Sequence, residues 1–200
     1  LISLSLPESV TSIGAAAFNN CSSLQSVKTG DNLGAIPHSA FAYCVKLTEA
    51  KLGANVKSIG DLAFIGCKVL ANVNLPSGLQ TIGKEAFYQC YALKTIHMPA
   101  SVTFVYSGAF AGCYGITLVT AESIAGWCTI TFEDSSANPA IYPRGIRVNN
   151  ANVSELVVPE GVEYIGENTF FNFSSLSKVT FPEGLKSIKA GAFSGCSTLR

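Results

Sequence analysis

Cysteine is the residue type whose number and spacing first suggest chemistry in this chain. Seven of the 200 residues are cysteines, and six of them belong to one series: Cys21, Cys44, Cys67, Cys90, Cys113 and Cys196. The first five are 23 residues apart. If each interval is one coil of a stacked ribbon, neighbouring Cα atoms lie about 4.8 Å apart, inside the roughly 4.4–6.8 Å range of disulfides. Side chains in such a column point the same way, which favours buried, reduced thiols. A disulfide remains an alternative, as does a metal site, which needs four converging ligands.

Other candidates for acid–base or nucleophilic chemistry are few. The chain has two histidines. His97 has no carboxylate or nucleophile paired with it in the pattern, and His38 lies in a turn beside Pro37, so a catalytic triad is not expected. Glu49 and Glu155 are four coils apart, about 19 Å at the usual strand spacing, whereas a glycosidase pair needs roughly 5–9.5 Å. The sequence predicts a protein that is not an enzyme and holds no metal or cofactor.

Composition and charge exclude several classes of partner. Thirteen basic residues balance thirteen acidic ones, and only 13% of residues are charged. This balance argues against binding to nucleic acid, which requires a basic surplus. The 48% of hydrophobic residues excludes a disordered chain, yet no apolar run approaches the roughly 18 residues of a membrane span. The chain begins at Leu1 without a leader and ends inside another repeat unit, so we expect it to be part of a longer protein.

The sequence repeats itself with a period of 23 residues. Seven phenylalanines mark the repeat: Phe18, Phe41, Phe64, Phe87, Phe110, Phe170 and Phe193. Alanine precedes each of them except at Thr169, and cysteine follows three residues later except at Phe173. Regular repeats therefore span 1–115 and 153–198, and residues 116–152 form one enlarged coil. The predicted organisation is a single solenoid over the whole chain.

Each repeat predicts a short strand followed by a return path. In residues 70–75, apolar and polar side chains alternate before Pro76, which has no N–H for a ladder. The return path is expected to consist of short turns of 3₁₀- or α-helix. Because one unit cannot bury its apolar face alone, stacked coils share a core in which each phenylalanine ring lies over the next. In the enlarged coil we expect a helix anchored in the core by Trp127, then a turn and a strand, at 123–128, 137–139 and 145–150.

The repeat resembles a known family. Residues 70–90 read Leu-x-x-Val-x-Leu-Pro-x-x-Leu-x-x-Ile-Gly-x-x-Ala-Phe-x-x-Cys, which is similar to the BspA-like, or Treponema-type, leucine-rich repeat. The Ala-Gly-Trp-Cys segment at 125–128 and the Ala-Asn-Pro turn at 137–139 are similar to an enlarged coil of the same family. The resemblance implies a leucine-rich-repeat solenoid with a concave parallel sheet and with turns and short 3₁₀ or α segments on the convex side. It also implies a secreted or cell-surface protein involved in adhesion or host interaction.

The candidate ligand-binding residues are the outward side chains of the predicted strands. The third and fifth positions of each repeat face outward because the fourth and sixth face the core. The candidates are Lys28, Glu49, Lys51, Asn72, Asn74, Thr95, His97 and Thr120. This polar, nearly neutral face suits a protein or glycan partner. We therefore expect a monomeric, non-catalytic recognition or adhesion module, with a structural spacer in a large surface protein as the alternative.

Overall fold

Each 23-residue repeat forms one coil of a solenoid with two short strands per coil, in a computed structural model that describes all 200 residues. The predicted solenoid is confirmed. The strands are β1 (Ser3–Ser5), β2 (Ser26–Lys28), β3 (Ala35–Ile36), β4 (Glu49–Lys51), β5 (Ser58–Ile59), β6 (Asn72–Val73), β7 (Thr81–Ile82), β8 (Thr95–Met98), β9 (Phe104–Val105), β10 (Leu118–Ala121), β11 (Thr131–Phe132), β12 (Arg147–Val148), β13 (Ala151–Asn152), β14 (Glu155–Val157), β15 (Tyr164–Ile165), β16 (Lys178–Thr180) and β17 (Ser187–Ile188).

The first strands of successive coils lie side by side, and each residue pairs with the residue at the same repeat position in the next coil. Ser26 pairs with Ser3 in one neighbouring coil and with Glu49 in the other, and all three side chains are at the same repeat position. Within β2, Val27 is 2% exposed and Lys28 is exposed. The alternation of a strand therefore sends one apolar side chain into the core and its polar neighbours outward.

The sheet formed by these first strands is interrupted at two places. It consists of three parts, ordered β1-β2-β4-β6, β8-β10-β12-β13 and β14-β16. All pairs are parallel except β12–β13, which is antiparallel. The last interruption follows the enlarged coil, whereas the first lies between two regular coils of 23 residues.

The return path of the regular coils contains a second ladder where short helices were expected. Two-residue strands pair in the order β3-β5-β7-β9-β11 and, beyond the enlarged coil, β15-β17. Each of these strands between β3 and β15 ends on a buried apolar residue such as Ile36 or Val105, so that the core repeats at every coil. Helices occur only in the enlarged coil: α1 (Ile124–Thr129) and two 3₁₀ helices (Ser135–Ala137 and Pro139–Ile141).

The predicted column of stacked phenylalanine rings is confirmed in the regular coils. Neighbouring rings are nearly parallel, with centroids 5.4, 5.4, 5.3 and 5.2 Å apart from Phe18 to Phe110. Phe170 and Phe193 continue the stack after the enlarged coil at 5.2 Å. One hydrophobic core contains the buried side chains of both parts and those of the enlarged coil. That the coils unfold together as a single domain stays a prediction.

The enlarged coil is built around Trp127, as predicted. The hydroxyl of Ser123 caps α1 by accepting the N–H of Gly126 at 3.0 Å. Trp127 is 1% exposed, and its indole N–H donates to the carbonyl of Thr169 at 3.1 Å. Thr169 in turn donates its hydroxyl to the carbonyl of Ile130 at 3.0 Å. This bond explains why threonine replaces alanine before the phenylalanine of that coil.

Candidate binding surface

The outward side chains of the first strands form one surface, which we call the strand face. It carries all eight candidate residues: Lys28, Glu49, Lys51, Asn72, Asn74, Thr95, His97 and Thr120. All are exposed except Glu49 and Thr120, which are half-buried. Six of them, all but Lys28 and Thr120, line a shallow depression of about 340 Å³ together with Ala50 and Val73. The structure therefore brings side chains from three successive coils into one polar site.

The charges in this depression nearly cancel. Lys51 Nζ lies 3.4 Å from Glu49 Oε1, and both side chains are substantially exposed, at 64% and 42%. Such a pair contributes little to stability because water screens it. The depression therefore carries almost no net charge, which suits an uncharged ligand better than a strongly acidic or basic one.

Asn74 occupies the strand face differently from its neighbours. Its side-chain Oδ1 accepts the backbone N–H of Leu52 at 2.6 Å, and its Nδ2 donates to the carbonyl of Leu52 at 2.9 Å. The amide that the sequence pattern assigned to a ligand is thus already paired with the main chain of the preceding coil. The side chain of Asn72 makes no hydrogen bond and is free to contact a ligand.

His97 connects the depression to a second hollow that the sequence pattern did not reveal. Its Nδ1 lies 2.8 Å from the hydroxyl of Thr120. Beyond Thr120 a hollow of about 290 Å³ is lined by these two residues and by Ala121, Glu122, Arg147, Asn149 and Asn150. Asn149 and Asn150 form the turn of the β12–β13 hairpin with φ of +50° and +63°. The sequence predicts a strand that enters a turn here, and asparagine at both central positions tolerates the positive φ that such a hairpin turn requires.

The cysteine series is part of the core, as predicted, and its cysteines are not bridged. All seven cysteines are free, and five of them are buried. Five thiols donate to the carbonyl of the phenylalanine one coil back: Cys44 to Phe18, Cys67 to Phe41, Cys90 to Phe64, Cys113 to Phe87 and Cys196 to Phe170, at 3.0–3.3 Å. In the enlarged coil the hydroxyl of Tyr142 takes this place and donates to Phe110 at 2.9 Å. The repeat therefore needs a small apolar side chain that can also satisfy a buried carbonyl.

Burial makes these thiols poor nucleophiles. It raises the pKa of Cys44 to about 11 and the pKa of both Cys113 and Cys128 to about 12. Because the thiolate is the reactive form, the three cysteines are inert at neutral pH. Cys113 and Cys128 are not bridged, and no three side chains of histidine, cysteine, aspartate and glutamate converge.

The structure contains one α-helix, of six residues. It is much too short to cross a bilayer, and no other helix is longer.

Comparison with known proteins agrees with the repeat pattern. A family model described as BspA type leucine-rich repeat region matches six copies at residues 1–117 and 148–200. The unmatched interval lies inside the enlarged coil. A search of curated proteins finds no match to the chain.

Solved structures share the fold. A leucine-rich repeat protein of T. pallidum is 25% identical and covers 100% of this chain and 78% of its own, with a TM-score of 0.61. One from Bacteroides ovatus is 22% identical over 99% of this chain and 73% of its own, with a TM-score of 0.52. The pneumococcal vaccine antigen PcpA is 18% identical over 99% of this chain and 59% of its own, with a TM-score of 0.53. With the family model matching most of its length, this chain belongs to the family of BspA-type leucine-rich repeat proteins.

Proposed function

We propose that this chain is a non-catalytic recognition module that binds a protein or glycan partner through the strand face, as a monomer and as part of a secreted or cell-surface protein. The observation that carries the proposal is the polar depression, because six side chains from three coils meet there without forming a catalytic or metal-binding group. Solenoids use such surfaces to bind partners over several repeats. Membership of the BspA-type family supports a role in adhesion or host interaction at the cell surface.

The alternative is a structural spacer that holds other domains away from a cell envelope. The stacked phenylalanine column favours it, because an uninterrupted core over five coils makes a stiff rod. A spacer does not need a binding surface, so the two functions differ in whether the strand face has a ligand.

Binding to a glycan array and to a panel of immobilised extracellular proteins distinguishes the two functions. Asn72→Arg and Thr95→Arg place a long cation in the depression without removing any side-chain hydrogen bond. Gln80→Arg adds the same charge just before β7, outside the strand face, and is the matched control. The proposal predicts binding by the original chain and by Gln80→Arg, and at least ten-fold weaker binding by the other two variants. Absence of binding to every glycan and protein tested would favour the spacer.

A further inference from the structure

The first interruption of the strand-face sheet leaves backbone groups without partners. In most other coils the residue just before the first strand donates its N–H to the preceding coil: Gln25 to Ile2, Thr48 to Gln25, Ala71 to Thr48 and Thr117 to Lys94, at 2.7–3.0 Å. Lys94 should donate to Ala71 in the same way. Instead the Lys94 N–H makes no backbone hydrogen bond, and the Ala71 carbonyl accepts none.

A second series of hydrogen bonds is broken at the same place. The residue that follows the first strand donates to the next coil, from Leu6 to Lys28 and from Thr29 to Lys51, both at 2.9 Å. The equivalent N–H of Leu75 has no partner. Between residues 72–74 and 95–97 the sheet is therefore open, and we call this opening the seam.

The seam is local and does not separate two halves of the molecule. On one side of it, Ala92 donates its N–H to the carbonyl of Lys68 at 3.2 Å. On the other side, the hydroxyl of Ser101 donates to the carbonyl of Ser77 at 2.7 Å. On the opposite ladder β7 pairs normally with β9, and the rings of the two coils stack at 5.2 Å. The two coils are joined everywhere except along the strand face.

Asn74 gives the seam its local cause. In the regular pattern the N–H of Leu52 would donate to the backbone carbonyl of Asn74, as Thr29 does to Lys51. Here the side-chain amide of Asn74 replaces its own backbone and pairs with both polar groups of Leu52. The strand β6 ends at Val73, and the main chain beyond it is no longer aligned with β8.

The 340 Å³ depression described above lies on the seam and is lined by side chains from both of its edges. Resting on the proposed recognition function, we propose that the seam binds an extended polypeptide segment of the partner, which pairs through its main chain with the unpaired groups of Ala71, Leu75 and Lys94. An extended chain presents donors and acceptors along its edge at intervals of about 7 Å, two residues of strand rise. These groups can supply the hydrogen-bond partners that an unpaired strand edge is missing.

The composition of the seam favours a peptide over a glycan. Sugar-binding sites commonly place a flat aromatic ring against the sugar, and His97 is the sole ring that lines this depression. The lining is polar and almost neutral, with one lysine and one glutamate that pair with each other. The favoured segment is therefore a polar stretch without strong net charge, held mainly by its backbone.

Asn74→Thr provides the test, because threonine is at the equivalent position in β10 and β16, where the strands pair normally. Threonine cannot replace two backbone partners, so we expect the seam to close. Asn72→Thr is the matched control, since the Asn72 side chain makes no hydrogen bond. Amide hydrogen exchange should show Leu75 and Lys94 unprotected in the original chain and in Asn72→Thr, and protected in Asn74→Thr.

Binding is then measured with peptides selected from a phage library of random 12-residue sequences on the original 200-residue chain. The proposal predicts that these peptides protect the Leu75 and Lys94 amides and bind Asn74→Thr at least ten-fold more weakly than the original chain. Asn55→Thr, which makes the same change in a turn outside the strand face, should leave their binding unchanged. Selected peptides that leave both amides unprotected would overturn it, even if Asn74→Thr did not fold. Glycan binding without any peptide binding would overturn the seam proposal and leave the recognition function standing, whereas absence of all binding would overturn both.

Discussion

Removing the ring of Phe64 tests whether the phenylalanine column stabilises the solenoid. Phe64 is fully buried, and its ring lies 5.4 Å from Phe41 and 5.3 Å from Phe87. Phe64→Ala leaves a cavity bounded by two rings that are themselves held by their own coils and cannot collapse into it. Buried Phe→Ala changes cost about 3–5 kcal/mol, which includes two stacked pairs of about 0.5–1.5 kcal/mol each. We expect a loss in this range in the free energy of unfolding.

Phe18→Ala is the matched control. Phe18 occupies the same repeat position in the first coil, but it is half-buried and stacks on one ring only, that of Phe41 at 5.4 Å. Its truncation should therefore cost about half as much as that of Phe64, since the cavity opens to water on one side.

Urea unfolding is followed by circular dichroism for the whole chain and by the fluorescence of Trp127, the sole tryptophan. Trp127 lies in the enlarged coil, three coils away from Phe64. If the coils unfold as one unit, both signals shift together in Phe64→Ala; if only neighbouring coils are coupled, the fluorescence transition shifts less. A loss below about 1 kcal/mol for Phe64→Ala, or equal losses for Phe64→Ala and Phe18→Ala, would refute the reasoning.

Two further predictions concern side chains of the same core. Burial raises the thiol pKa of Cys44 to about 11 and that of Cys113 and Cys128 to about 12, from 9.0. Stability is thus intact below pH 9 and falls from there towards pH 11–12, by about 1.4 kcal/mol per pH unit for each thiol. Thermal unfolding between pH 7 and 11 should show this fall and a shallower one for Cys113→Ala; a flat profile would contradict it. Phe173→Cys restores the common residue of the column but removes a buried ring that lies 5.4 Å from Phe170, so urea unfolding should show a loss of about 2–4 kcal/mol, and an unchanged midpoint would contradict the packing.

The features that the sequence predicts well are those that recur in every coil. The period, the buried phenylalanine and the free thiol each appear five or more times, so an exception in one coil does not obscure the pattern. The pattern also marks residues 116–152 as a departure and predicts the helix around Trp127. These predictions require the identity of a residue and its spacing, and no knowledge of its backbone angles.

The turns on either side of each phenylalanine could not be predicted as easily, because they depend on residues with left-handed backbone angles. In these turns each regular coil has two residues with positive φ, such as Gly108 and Gly112, with φ of +68° and +77°. In other coils non-glycine residues adopt the same conformation, among them Leu62 with φ of +59°, at a cost of about 1 kcal/mol. The residue type at these positions varies from coil to coil, whereas the positive φ does not. The sequence pattern therefore does not reveal the required backbone conformation.

The strand face shows the same limit more sharply. Asn74 and Asn72 have the same side chain, are two residues apart and are both exposed. One of them pairs with the main chain of Leu52, and the other makes no hydrogen bond. A pattern that assigns outward positions treats the two alike, because the choice depends on competition between a side-chain amide and a backbone carbonyl for the same partner. That competition decides where the sheet opens.

The residues that depart from the repeat pattern contact one another across the borders of the enlarged coil. These contacts make the enlarged coil specific for its position in the solenoid. Thr169 replaces alanine where it can donate to the enlarged coil, and Phe173 replaces cysteine where its ring approaches Trp127 at 6.4 Å. On the opposite side Tyr142 supplies to Phe110 the hydrogen bond that a thiol supplies elsewhere. Moving the enlarged coil between two regular coils would leave the Ile130 carbonyl without the threonine hydroxyl that it now accepts, and the Trp127 ring without the facing ring of Phe173. The irregular residues are therefore the specific interface of this coil with its neighbours.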